Sequence, residues 1–194
     1  MDDVAGHPAN LSPGALVVDG GADSGEPTLE WLAADRSLSL GALLEGGAAL
    51  AAAPYLALHL ARAVVAPVTP AAALAAVDGV LGAVVVCEEA LPASNRFATG
   101  SVRRPSDQLD LALEACLVEL DGEVIDSATG AAPFGQPAEA VVAAANRLER
   151  IDAGTVVLCG PLTPPVRLGS NAALTVTFTN LGSISFSRRR SVQP

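Results

Sequence analysis

From Leu120 to Phe186 the sequence sets out strands and turns in an order that leaves few ways to fold it. An apolar run, Cys116 to Leu120, meets Asp121-Gly122, a dipeptide whose tolerance of left-handed backbone suits a two-residue hairpin, and Glu123 to Ser127 returns. Thr129 to Gly135 is a loop of small residues. Pro137 then takes an expected first helical position, with Val141, Val142, Ala145 and Leu148 following at helical spacing. Asp152-Ala153-Gly154 breaks the chain before Thr155–Cys159, which is expected to be a strand buried on both faces. A second hairpin, Ala172–Phe178 and Ser183–Phe186 around Asn180-Leu181-Gly182, completes the series.

Upstream, Val80–Cys87 is a uniformly apolar, β-branched run and is expected to be another doubly buried strand, leading into a polar loop from Glu88 to Asp107. Before it, Thr69 is placed to cap a helix over Ala71–Val77, with Pro70 at its first position and Gly79 ending it. Tyr55–Val65, between Pro54 and Pro67, is expected to be a strand of limited length. Pro27 is expected to open a short helix containing Leu29, Trp31 and Leu32, and Ser39 to cap a turn around Leu40–Leu44. These signals divide the chain into an irregular arm over residues 1–25 around the run Ala15–Val18, one domain over 26–188 and a tail over 189–194.

Composition limits the function classes. With 194 residues, 51% of them hydrophobic and 3% aromatic, the chain has enough apolar side chain for one core built of Ala, Val and Leu. Eleven arginines and no lysine face 21 acids, and the net charge of −10 repels nucleic acid and anionic lipid. Arg188-Arg189-Arg190 is the one basic cluster and is expected in a solvated tail. Cys87, Cys116 and Cys159 are too far apart for a metal knuckle or a redox pair, and so are expected to be reduced packing thiols. The first residues lack the basic and apolar regions of a signal peptide, and Pro54, His59 and Arg62 interrupt the only Ala/Leu-rich candidate for a membrane span; a cytoplasmic protein is expected.

Five fragments in order, Leu120-Asp-Gly-Glu-Val, Gly130-Ala-Ala-Pro-Phe-Gly-Gln-Pro, Ala153-Gly-Thr-Val-Val-Leu-Cys-Gly, Thr163-Pro-Pro-Val and Leu181-Gly-Ser-Ile-Ser, resemble the 2-keto-4-pentenoate hydratase / 4-oxalocrotonate decarboxylase family of the fumarylacetoacetate hydrolase fold. The resemblance runs over roughly Val77 to Phe186. It implies an α+β fold with a mixed, rolled β-sheet or β-barrel and a few short helices. It also implies a β-lined pocket, homo-oligomeric assembly and, in active members, a divalent metal held by a Glu-x-Glu pair and a third Glu. Those positions are implied to be Ala53, Tyr55 and Val85 here, and the family's pocket lysine has no counterpart. No metal and no cofactor are therefore expected.

What remains supplies the candidate site. Tyr55 would point a phenol into the pocket, His59 and the adjacent acids Glu88 and Glu89 are candidate acid–base groups, and Asn95, Arg96 and Thr163 are candidate ligand contacts. Each has a plainer reading: pocket plug for Tyr55, packed or rim histidine for His59, solvated loop for the acids and arginines, turn chemistry for Thr163. Two functions follow. One is a pocket reused for metal-independent isomerisation, cyclisation or dehydration of an enone- or polyketide-like small molecule; the other is a non-catalytic binding or partner subunit beside an active paralogue. An open pocket in which Tyr55 meets Glu88 or Glu89 would favour the first, and a pocket filled by Tyr55 and small apolar side chains the second.

Overall fold

A computed structural model describes residues 14–20, 26–45, 49–88 and 95–189. In chain order the elements are β1 (Ala15–Asp19), β2 (Thr28–Leu32), β3 (Leu43–Glu45), β4 (Leu50–Leu60), β5 (Val64–Val65), α1 (Pro70–Ala76), β6 (Val77–Glu88) and β7 (Arg96–Thr99). There follow β8 (Ala115–Leu120), β9 (Glu123–Thr129), α2 (Ala138–Leu148), β10 (Arg150–Ile151), β11 (Val156–Gly160), β12 (Val166–Leu168), β13 (Ala173–Phe178) and β14 (Gly182–Arg189).

The apolar runs make the centre of the molecule. β4 and β6 pair antiparallel over almost their whole length, inside a mixed sheet ordered β2-β1-β11-β4-β6-β7, with β12 also on β4. This sheet curls. The backbone N–H of Leu38, in the segment after β2, donates to the carbonyl of Phe97 in β7 at 2.7 Å, so the two margins of the sheet meet. A second sheet, β3-β14-β13-β8-β9, packs against the outer face of the curl. Gly82 permits this approach: a Cβ there would stand 2.4 Å from the Phe178 ring. The two helices, which contact each other, cover the rest of that face with small residues, among them Ala73, Ala76, Ala140, Ala144 and Ala145.

Alternation along each strand sorts the core into two clusters. Leu56, Leu58, Val84, Val86 and Cys159 face the large core shared with the helices and second sheet. Ala53, Tyr55, Ala57, Ala83, Val85, Phe97 and Leu158 face the inside of the curl.

The predicted hairpins are present, with Asp121 (φ 53°) and Gly122 (φ 86°) both left-handed as the two-residue turn requires. Thr69 caps α1, its hydroxyl accepting from the Ala72 N–H at 3.3 Å. Four local expectations are corrected. The segment after Pro27 is strand, because Thr28-Leu-Glu-Trp-Leu alternates and pairs with β1. α1 stops at Ala76, and Gly79 lies within β6, where the Arg103 side chain covers it. β4 begins before Pro54 and runs through it. The Pro54 carbonyl accepts from the Leu162 N–H, in the gap where β11 ends and β12 begins; its ring nitrogen points to that same side, so the ladder with β6 loses nothing. Finally, Arg188 is no tail residue: it is buried in β14 and its guanidinium donates to the Leu168 carbonyl. The turn expected after Ser39 is present at Leu40–Gly41, followed by β3. Among the described residues no helix is long and apolar enough to cross a membrane.

Candidate functional site

The inside of the curl brings together the three positions for which the family resemblance implies metal ligands. Ala53 lies opposite Val85 across the β4–β6 ladder, and Tyr55 is two residues further along the same face of β4. All three are buried, with at most 5% of any of them exposed. A methyl, an isopropyl and a phenol do not fit a hard divalent cation, which needs about six converging oxygens, most of them carboxylate, carbonyl or water. Among the described residues, no three His, Cys, Asp or Glu side chains come together as a cation site elsewhere.

Tyr55 packs across the neighbouring strand. Its ring lies over Gly160, where a Cβ would come within 2.4 Å of it. Burial, and secondarily the charges of Asp19, Cys87 and Glu30, hold the phenol well above its usual range. It is therefore a neutral hydroxyl at physiological pH, able to donate one hydrogen bond and accept others.

The polar rim around Tyr55 was not apparent in the sequence. Asp19 pairs with Gly160, directly beneath the tyrosine ring, and Glu30 lies across β1 from Val17 on the same face. Asn95 donates from Nδ2 to Glu30 Oε2 at 2.8 Å, linking the two margins of the curled sheet a second time. The Asn95 Oδ1 atom is buried and has no hydrogen-bond partner among the described residues. Cys87 borders the same rim, and burial raises its thiol pKa, with Glu30 and Asp19 adding to the effect. Asp19, Glu30, Cys87 and Asn95 are all half-buried, so an apolar floor carries a rim that reaches solvent.

The other predicted residues fall elsewhere. Glu88 follows Val84 and Val86 by strand alternation, which turns it to the face opposite Tyr55; Glu89 lies outside the described residues. Arg96, paired with Val86, is likewise turned away from Tyr55. Thr163 is buried and its hydroxyl donates to the Pro164 carbonyl at 3.4 Å, as in a turn. His59 lies four residues along β4 from Tyr55, about 13 Å away at strand rise. There its Nδ1 is 2.7 Å from Asp78 Oδ1, which also receives Arg103 at 2.5 Å. Those contacts, the histidine's first, hold the Asp78 carboxyl below its usual value.

No protein-family model matches the chain. Curated relatives include 4-oxalocrotonate decarboxylases from Pseudomonas putida, 34% identical over 96 residues (47% of this chain and 36% of that protein), and from a Pseudomonas species, 32% over 138 residues (62% and 53%). A 2-keto-4-pentenoate hydratase from Burkholderia vietnamiensis is 37% identical over 94 residues (45% and 35%). The matched stretches thus span about a third to a half of those relatives' own length. Among solved structures, 4-oxalocrotonate decarboxylase from Pseudomonas putida G7, complexed with calcium and acetate, superposes with a TM-score of 0.81 at 24% identity, covering 92% of this chain and 78% of that one. A fumarylacetoacetate hydrolase from Exiguobacterium antarcticum gives 0.77 at 16% identity, over 93% and 76%. The chain is a homologue of the 4-oxalocrotonate decarboxylases and 2-keto-4-pentenoate hydratases, and it carries the fumarylacetoacetate hydrolase fold.

Proposed function

We propose that this chain is a hydratase/decarboxylase relative that has lost the cation-dependent lyase reaction and serves as a non-catalytic binding or partner subunit beside an active relative. The observation that carries this reading is the apolar contact between Ala53 and Val85 with Tyr55 seated beside it, where carboxylates would have to converge on a metal. A cation deprived of those oxygens has nothing to bind it tightly.

A second reading is favoured by the rim. A neutral phenol beside Glu30 and Asn95 is suited to metal-independent proton movement on an enone- or polyketide-like ligand, as in an isomerisation, cyclisation or dehydration. The experiment that tests the main proposal is turnover of 4-oxalocrotonate and 2-keto-4-pentenoate by the purified protein with added Mg²⁺ or Mn²⁺. The expected result is no turnover above the metal-only rate. Robust cation-dependent decarboxylation or hydration overturns both readings.

A further inference from the structure

We infer that the outer face of the second sheet is the surface through which two copies of this chain pair. Alternation identifies that face. On β13 and β14 the residues Leu174, Val176, Ile184 and Phe186 are buried in the core, so Thr175, Thr177, Ser183 and Ser185 point the other way. The ladders extend the face to both sides. Leu117 stands opposite Thr177 on β8, Val124 lies beyond Glu119 on β9, and Leu43 stands opposite Ser187 on β3. All three of these apolar residues are exposed.

Water leaves such a face at little cost. The hydroxyls of Thr175 and Ser185 bond each other at 3.0 Å, as do those of Thr177 and Ser183, so the polar groups at its centre are already paired across the ladder. Covering Leu43, Leu117 and Val124 is then a net gain. The face also carries no net charge. Among the described side chains of its five strands, register turns two charges outward, Glu119 and Arg189, one of each sign. Glu123 and Asp126 pair with inward-facing Leu120 and Val118, which turns them to the opposite side of β9. The helical side differs. There Asp107 and Asp110 line a cleft of about 540 Å³ beside Leu74 of α1. Two copies of a chain of net charge −10 repel where acidic surfaces meet, and approach most easily through the neutral one. Because the same patch serves both copies, the pairing closes on a two-fold axis and stops at a dimer. Five strands at about 4.8 Å spacing and about seven residues at ~3.4 Å give a face of roughly 24 by 24 Å per copy, the scale of a reversible interface rather than a permanent one.

The test is sedimentation of the full chain over about 1–200 μM at low and at moderate salt, beside a dilution series of backbone amide NMR spectra. The expected result is a reversible monomer–dimer equilibrium that tightens with salt, because screening weakens the repulsion between the two acidic copies and breaks no ion pair on which the dimer depends. Thr177→Arg and Leu117→Arg each place like charges against each other across the two-fold axis, and each is expected to weaken the dimer at least about tenfold. Ala72→Arg makes the same change of charge on exposed α1 and should weaken it far less. The dilution shifts need no variant and so stand even where an arginine impairs folding; they are expected at Thr175, Thr177, Ser183 and Ser185. Three results overturn the proposal: a monomer throughout the range, a dimer that Ala72→Arg weakens as much as Thr177→Arg, or dilution shifts confined to the helices or to β9. None of these depends on cation-dependent turnover, so the dimer face and the loss of lyase activity fail independently.

Discussion

Tyr55 and Gly160 form a ring-on-backbone contact that leaves no room for a side chain at residue 160. Gly160→Ala is therefore expected to destabilise the protein by about 1–3 kcal/mol through overpacking. Tyr55→Ala removes the obstructing ring, and in that background the Gly160→Ala penalty should largely vanish. A double-mutant cycle by urea denaturation measures the coupling, and purely additive effects would show that the ring is not where the contact places it.

The apolar pair Ala53 and Val85 predicts how the site responds to a restored ligand. Val85→Glu alone buries one carboxylate without partners and should cost on the order of 3 kcal/mol at pH 7. The new acid would have a folded pKa raised above its unfolded value near 4.3, so its ionisation penalty is absent below that value, grows as pH rises through the window between the two and is full above the folded pKa. Mg²⁺ should not rescue this single variant. In the triple variant Ala53→Glu/Tyr55→Glu/Val85→Glu, Mg²⁺ should raise the thermal midpoint, because three carboxylates then share one face of the sheet.

Glu114 is 1% exposed and accepts from both the backbone N–H and the side-chain amide of Asn180, each at 2.8 Å. It ties the start of β8 to the turn between β13 and β14. Glu114→Ala should cost about 3 kcal/mol, since two donors to a charged group are left unpaired, and Glu114→Gln distinctly less. Chemical denaturation ranks the two.

The cysteines should be poor nucleophiles in the native state. Burial pushes Cys159 up to about 12 and Cys116 up to about 11, and Cys87 also stands above its usual value. At pH 8 iodoacetamide should modify half-buried Cys87 slowly and the other two only after unfolding, which mass spectrometry of timed samples resolves.

Asp78 gives a small acid-side dependence. Its folded pKa lies below the ordinary 3.8, so the stabilisation from His59 and Arg103 is present above that value and is lost as pH falls through the folded pKa. The group is exposed, and the effect should be within the ~0.2–1 kcal/mol of surface pairs. Asp78→Asn should remove this part of the stability difference between pH 5 and pH 2 and leave the rest.

Much of this architecture was legible in the sequence because its signals are local. Asp121-Gly122 fixes one hairpin and Thr69-Pro70 starts one helix. The rim was not legible, because both of its acids sit in segments whose type was misjudged or left open. Read as helix, Thr28–Leu32 places Glu30 beside its neighbours on a curved surface; as strand, alternation separates Glu30 from Leu29 and Trp31 and turns it toward Tyr55. The alternation of Thr28-Leu-Glu-Trp-Leu was the available signal, and Pro27 outweighed it. Asp19 belonged to an expected arm, yet β1 pairs on both sides within the main sheet. Arg188 was misplaced for a related reason: a run of three arginines suggests solvent, and only the register of β14 shows that the first of them points inward.

The junction of Leu38 with Phe97 has a consequence for self-association. By meeting, the margins of the curled sheet occupy backbone groups that an open sheet would present to another chain. Among the described residues the second sheet has no such closure at β9, where Val124 and Ile125 are exposed beside a strand edge that no described strand pairs. Glu123 and Asp126 stand on that edge as gatekeepers, since antiparallel stacking of two copies of β9 would bring like charges together. With Glu123 and Asp126 replaced by Gln and Asn, aggregation would thus begin at β9 while the curl stays intact.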